Sequence, residues 1–133
     1  MRKVFFLDTG LRNIIYNSFN DIDIRVDNGS IFENFVFLEL MKGKRKTAEV
    51  KYYRTKDGSE IDFIYSDTDR LIPVEIKYKT FSGEVSIPAF KNFSKIAEPD
   101  KPVVININLN QEYDDIRFIP GIMTEQYFAD SEK

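Results

Sequence analysis

Three side chains in two short segments have the types and spacing for phosphate chemistry. Asp62 stands in Gly58-Ser59-Glu60-Ile61-Asp62-Phe63-Ile64, and Glu75 and Lys77 stand in Pro73-Val74-Glu75-Ile76-Lys77-Tyr78. Both segments read as strands. Side chains alternate along a strand, so Glu75 and Lys77 share one face while Val74, Ile76 and Tyr78 share the other. The same rule puts Glu60 and Asp62 together, opposite Ile61, Phe63 and Tyr65. With the polar faces of neighbouring strands aligned, two carboxylates and an ammonium converge. That set suits a divalent cation, a water molecule and a phosphodiester.

The composition narrows the chemistry further. The 133 residues include neither histidine nor cysteine. This excludes His-based triads, His or thiolate zinc sites, and disulfides. A bound metal must be held by oxygen, which selects Mg²⁺ or Mn²⁺ ahead of Ca²⁺. The net charge of −3 argues against nucleic-acid binding by the whole surface. The charge is uneven, however: Lys42, Lys44, Arg45, Lys46, Lys51, Arg54 and Lys56 face only Glu49 in their stretch, and the chain turns acidic from Glu112 onward. Lys44, Arg45, Lys46 and Arg54, with Lys79 continuing the alternation of Glu75 and Lys77, are candidate nucleic-acid contacts. The plainer reading of the basic stretch is a solvated loop with cations at a helix C-terminus.

The length suits one domain spanning residues 1–133. No stretch approaches the roughly 20 apolar residues of a transmembrane helix. The apolar run Val4 to Leu7 is too short for a signal peptide, so a cytoplasmic location is expected.

The elements that must position the acids can be read in order. Asp8 or Thr9 caps a first helix with Leu11, Ile14, Ile15 and Phe19 at helical spacing. Asn28-Gly29 signals a turn, after which Ser30 opens a strongly apolar helix to about Lys42, with Gly43 as its stop. Strands near 49–54, 60–65 and 71–79 form a meander through the turns Lys56-Asp57-Gly58 and Asp67-Thr68-Asp69. A loop at Phe81-Ser82-Gly83 leads to a helix near 87–97, capped by Ser86 with Pro88 in its first turn. A strand near 102–109, a short edge strand at 116–119 and a helical turn at 121–128 complete the chain. The class is α+β or three-layer α/β/α, with a mixed central sheet flanked by helices.

Glu33 on the apolar helix, Glu60-Ile61-Asp62, and Val74-Glu75-Ile76-Lys77, within an αβββαβ order, together resemble the PD-(D/E)XK nuclease superfamily and its restriction-endonuclease-like core. The phrases FFLDTGLRN, GSIFENFVFLEL, EIDFIY and PVEIKY more closely resemble a domain of unknown function found C-terminal to the AAA+ module of bacterial and archaeal ATPases. The resemblance covers about residues 3–120. It implies a metal-dependent endonuclease acting on DNA, with an ATPase module in cis or missing from this chain. Asp62 and Glu75 then match the metal-binding carboxylates, the Ile76 carbonyl a further ligand, and Lys77 the lysine that positions the attacking water. Glu33 matches the supporting helical glutamate. One departure is Ile61, which stands where the superfamily's name has proline.

Each residue also has a structural reading. Ser30-Ile31-Phe32-Glu33 has capping-box spacing. Glu75 and Lys77 suit the wet face of a strand, and Tyr52 and Tyr53 suit sheet packing on opposite faces. Asp62 is harder to place that way, because strands disfavour Asp. The second functional reading is a non-catalytic module that docks nucleic acid or a protein for an ATPase. The first residues are expected to expose apolar surface that drives homodimerisation.

Overall fold

Helix α2 (Asn28–Gly43) is apolar around most of its circumference, and the rest of the chain is arranged to cover it. The computed structural model describes residues 3–82 and 86–129. Phe32, Val36 and Leu40 of α2 pack on a six-stranded mixed sheet through Phe63, Tyr65, Val74, Val103 and Ile105. The strands are β1 (Glu49–Arg54), β2 (Glu60–Asp67), β3 (Arg70–Ile76), β4 (Val103–Asn106), β5 (Gln111–Tyr113) and β6 (Ile116–Pro120), in the spatial order β1-β2-β3-β4-β6-β5. β1, β2 and β3 pair antiparallel as a meander, whereas β3, β4 and β6 run parallel. A parallel neighbour requires a crossover. Helix α3 (Pro88–Ser94) supplies the one between β3 and β4, and its Phe90 and Phe93 cover the opposite sheet face against Ile61, Ile64, Val104 and Phe118. The expected α+β class with a mixed, helix-flanked sheet is therefore found.

Several boundaries differ from the sequence reading, each for a local reason. α2 starts at Asn28 rather than Ser30, so Asn28-Gly29 is helical and not a turn. The adjoining Asp27 makes no side-chain cap; its carboxylate is taken by Arg12 and Arg25. Ser30 thus lies inside the helix and accepts from Arg12 Nη2 at 3.3 Å, and the capping box is not formed. At α3 the cap is Ile87, without a side-chain bond, rather than Ser86. The expected loop residue Gly83 lies outside the described residues. β6 is an interior strand; β5 takes the edge, reached through Asp114 and Asp115 at φ 44° and 65°. Two consecutive positive φ values are those of a type I′ hairpin, here made without the usual Asn-Gly signal.

Residue 43, the last of α2, is held to glycine by packing. Helix α4 (Thr124–Ala129) crosses there, and a Cβ on Gly43 would meet the Glu125 carbonyl oxygen at 2.2 Å.

The first quarter of the chain is inverted in polarity. Helix α1 (Thr9–Ile15) is capped by Asp8, whose Oδ1 accepts from Leu11 N–H at 2.9 Å. Its one buried side chain is Arg12, while Leu11, Ile14 and Ile15 face water. Arg12 and the buried Arg25 both donate to Asp27 at 2.8 Å, and Arg25 also donates to Asn13 and to the Ser18 carbonyl. Of the thirteen large apolar side chains exposed among the described residues, nine fall between Val4 and Val26.

Candidate functional site at the fork of β2 and β3

Pairing of β2 with β3 ends at Phe63 opposite Val74. Beyond that point a side chain replaces the ladder: Asp62 Oδ2 accepts from Ile76 N–H at 2.9 Å. This explains an aspartate in a buried strand, since it satisfies a backbone donor where the strands part. β2 also carries a β-bulge here. Lys51 pairs with Ile64 but Tyr53 pairs with Ile61, so Asp62 and Phe63 together face Tyr52.

The bulge shifts the alternation. Phe63 and Tyr65 pack toward α2, whereas Ile61 packs toward α3. Asp62 reaches toward α2 as well, because its Oδ1 shares a cation with Glu33 on that helix. Glu75 is registered with Val104, a residue of the α3-side core, and lies with Lys77 along a groove of about 300 Å³ beside Phe81 and Ile87. The expectation that Asp62, Glu75 and Lys77 share one sheet face is therefore corrected. Asp62 is drawn toward α2 by Lys3, whereas Glu75 and Lys77 line the α3-side groove, and the charge of Asp62 still bears on both.

The cation joining Glu33 to Asp62 is Lys3. Its Nζ lies 2.8 Å from Glu33 Oε1, 2.7 Å from Asp62 Oδ1 and 4.9 Å from the centre of the Tyr52 ring. The segment bearing Lys3 is fixed along α2. Buried Asn34 accepts from Phe6 N–H and donates to the Phe6 carbonyl, both at 2.8 Å, and the Phe5 ring stacks 4.3 Å from Phe37. Burial pulls the Lys3 ammonium toward deprotonation, but its bonds to Asp62 and Glu33 and their charges together raise its pKa. Burial pushes the Glu33 carboxyl up, opposed by the Lys3 bond. Next to this group Tyr52 donates to Glu60 Oε2 at 2.7 Å, which lowers the Glu60 pKa.

Glu75 is the least satisfied group of the site. The residue is 9% exposed; Oε1 meets Lys77 Nζ at 2.7 Å, while buried Oε2 has no hydrogen-bond partner among the described residues. Burial raises the Glu75 pKa and the charge of Asp62 raises it further, against the Lys77 bond and charge and a bond from the Asp62 backbone. Burial depresses the Lys77 pKa, but the Glu75 bond and the surrounding acids outweigh it. Asp62 is electrostatically common to both halves, since its charge bears on Glu33 and on Glu75.

The candidate nucleic-acid residues divide by position. Arg54 is registered with Glu60, and Lys79 lines the groove of Glu75 with its Nζ 5.4 Å from the Phe81 ring centre. Lys44, Arg45 and Lys46 follow α2 at the far end of β2. Lys44 donates to the Ala48 carbonyl at 2.9 Å, and Arg45 bonds Asp67 and Asp69 in the β2–β3 turn. Asp67 lies five residue steps along β2 from Asp62, roughly 16 Å at the usual rise. Lys44, Arg45 and Lys46 are thus not continuous with the acids, whereas Arg54 is.

Among the described residues no group of three or more Asp, Glu, His or Cys side chains is placed to hold a metal ion. Mg²⁺, however, commonly takes only one or two protein carboxylates and keeps several waters. The Glu75 oxygen without a hydrogen-bond partner, Asp62 and the Ile76 carbonyl match that requirement in donor type. Sequence reasoning missed Lys3 and the Arg12–Asp27–Arg25 group. A hollow of about 770 Å³, lined by Pro73, Phe90 and Pro102, contains none of the four candidate catalytic residues.

Fold and site define a mixed-sheet α+β domain with acids and ammonium groups interleaved where two strands part. The chain belongs to the family described as domain of unknown function DUF4143, whose model matches residues 28–122. Glu33, Asp62, Glu75 and Lys77 fall within that match, and Lys3 falls before it. No curated protein and no solved structure matches the chain.

Proposed function

We propose that the β2–β3 fork is a Mg²⁺- or Mn²⁺-dependent phosphodiester site acting on DNA, built on a PD-(D/E)XK-like core. The order α2-β1-β2-β3-α3-β4 supports this reading, and the observation that carries it is the buried, partnerless Glu75 oxygen beside the charge of Asp62. Leaving a buried acceptor unpaired costs about 1–3 kcal/mol, so a ligand that completes it is the simplest reason for its presence. Asp62 and Glu75 with the Ile76 carbonyl would hold the ion, and Glu33 supports Asp62 through Lys3. When bound, a hard cation polarises a phosphoryl oxygen and lowers the pKa of coordinated water. Lys77, drawn toward Glu75, presents its ammonium where negative charge develops during phosphoryl transfer. Arg54 and Lys79 flank the acids and offer contacts to neighbouring phosphates.

Incubating the protein with single-stranded, duplex and branched DNA and Mn²⁺ tests this. Cleavage that disappears in Asp62→Ala and Lys77→Ala is expected. Undiminished cleavage in both variants, or none with any DNA, overturns the catalytic assignment.

A second reading has its own support. Lys3 already neutralises the Glu33–Asp62 pair, as in a structural ion network, which favours a non-catalytic module docking nucleic acid or protein for an ATPase. Wild-type protein that binds DNA without Mn²⁺ and takes up no Mn²⁺ would select this reading.

For the apolar outer face of residues 4–26 the reading is a second copy of the chain. Nine side chains left at least half exposed present on the order of 1,000 Å², whereas a stable interface needs about 800 Å² from each partner. Sedimentation should show a dimer that Leu11→Asp with Ile15→Asp converts to monomer. A monomeric wild type at tens of micromolar removes this partner.

A further inference from the structure

Glu33 Oε1 and Asp62 Oδ1 both aim at one point, and the Lys3 ammonium stands there at 2.8 and 2.7 Å. Two carboxylate oxygens converging on a single positive centre is the geometry of a bridging cation. The remaining acceptors lie on the other side of Asp62, where Oδ2 meets Ile76 N–H and Glu75 Oε2 is partnerless. We propose that Lys3 is the resident cation of this site, occupying the position between Glu33 and Asp62 that a second divalent ion would otherwise take. The fork then accepts one ion, on the Asp62–Glu75 side. This inference rests on the cation-site reading above and adds its stoichiometry and a further positioning residue.

The placement of Lys3 is enforced from its own segment. Asn34 clamps the Phe6 backbone in both directions, and Phe5 is packed against Phe37 and Phe63. Its ammonium also faces the Tyr52 ring, a further attraction for a cation that has given up much of its water. An ammonium has three N–H donors, and Glu33 and Asp62 take two. The third side of the ammonium is turned to the Tyr52 ring. Unlike a divalent ion, Lys3 cannot be removed by a chelator, so one half of the site keeps its positive charge permanently.

Calorimetric titration of Mn²⁺, paired with Mn²⁺ electron paramagnetic resonance, tests the inference without measuring activity. Wild type and Lys3→Arg should bind one ion with the spectrum of an isolated centre. Lys3→Met, which keeps the apolar stem and removes the charge, should bind two ions that share Asp62 and show spin coupling. One ion bound by Lys3→Met with wild-type affinity overturns the role of Lys3 and leaves the cation site standing. Two ions in wild type also overturn it, whether or not Lys3→Met folds. No ion in wild type overturns the cation site and this inference together.

Discussion

Lys3 and Asp62 lie 59 residues apart in sequence and 2.7 Å apart in space. Through that contact the N-terminal segment becomes part of a site whose other members belong to α2, β2 and β3. Electrostatics and folding are therefore coupled at this point.

Glu75→Gln should stabilise the protein while weakening its cation binding. The substitution removes a buried charge whose second oxygen is unpaired, with an expected gain of about 1 kcal/mol in urea unfolding at neutral pH. The folded-state pKa of Glu75 is raised, so the folded protein holds this proton more tightly than the unfolded chain. The penalty of the ionised group is accordingly present above the folded pKa and relieved as pH falls through it. The difference between Glu75→Gln and wild type should therefore shrink on acidification; a difference growing toward low pH contradicts the assignment.

Lys3 has the opposite sense. Its pKa is raised by Asp62 and Glu33 despite burial, so its contribution is complete below the unfolded lysine value and lost only as pH rises through the folded one. Lys3→Met should be less stable by roughly 1 kcal/mol, a partly exposed pair being screened by solvent. That deficit should hold from pH 6 to 9 and narrow only in strong alkali.

Asp27 holds the inverted N-terminal unit together. Its bonds to Arg25 and Arg12 depress its pKa, so its stabilisation is present above the unfolded carboxylate value and lost as pH falls through the folded one. Asp27→Ala leaves the buried Arg12 without its carboxylate and should cost about 3 kcal/mol in denaturant unfolding. A cost near zero would mean that the guanidinium groups reach water.

Gly43→Ala tests the crossing of α2 and α4. Backbone atoms of Glu125 stand where the Cβ would go, so α4 must shift, at about 1–3 kcal/mol. Alanine is the better helix former. A stabilised variant would show that propensity outweighs the contact.

Much of this could be read along the chain because it depends on local signals. The meander followed from turn chemistry at Asp57-Gly58 and Asp67-Thr68, and Gly58 does adopt φ +84°. Asp62 stood out as a carboxylate in an apolar strand, and it terminates the ladder. What escaped depends on contacts between distant residues. Asn28-Gly29 became helical because Arg12 and Arg25 hold the adjoining Asp27. The β2 bulge took Ile61 off the face it was expected to share with Phe63 and Tyr65, and no single residue announces a bulge. Lys3 gave no sign of its role, since its partners lie 30 and 59 residues away.

On the proposed reading, Asp62 and Glu75 together offer a divalent cation a place in the fork. Titrating Mn²⁺ into wild type, Asp62→Ala and Glu75→Ala measures it directly. Wild type should bind the ion saturably, and both variants should lose that binding while remaining folded by circular dichroism. Heat of binding that persists unchanged in the two variants, or is absent from wild type, would contradict it.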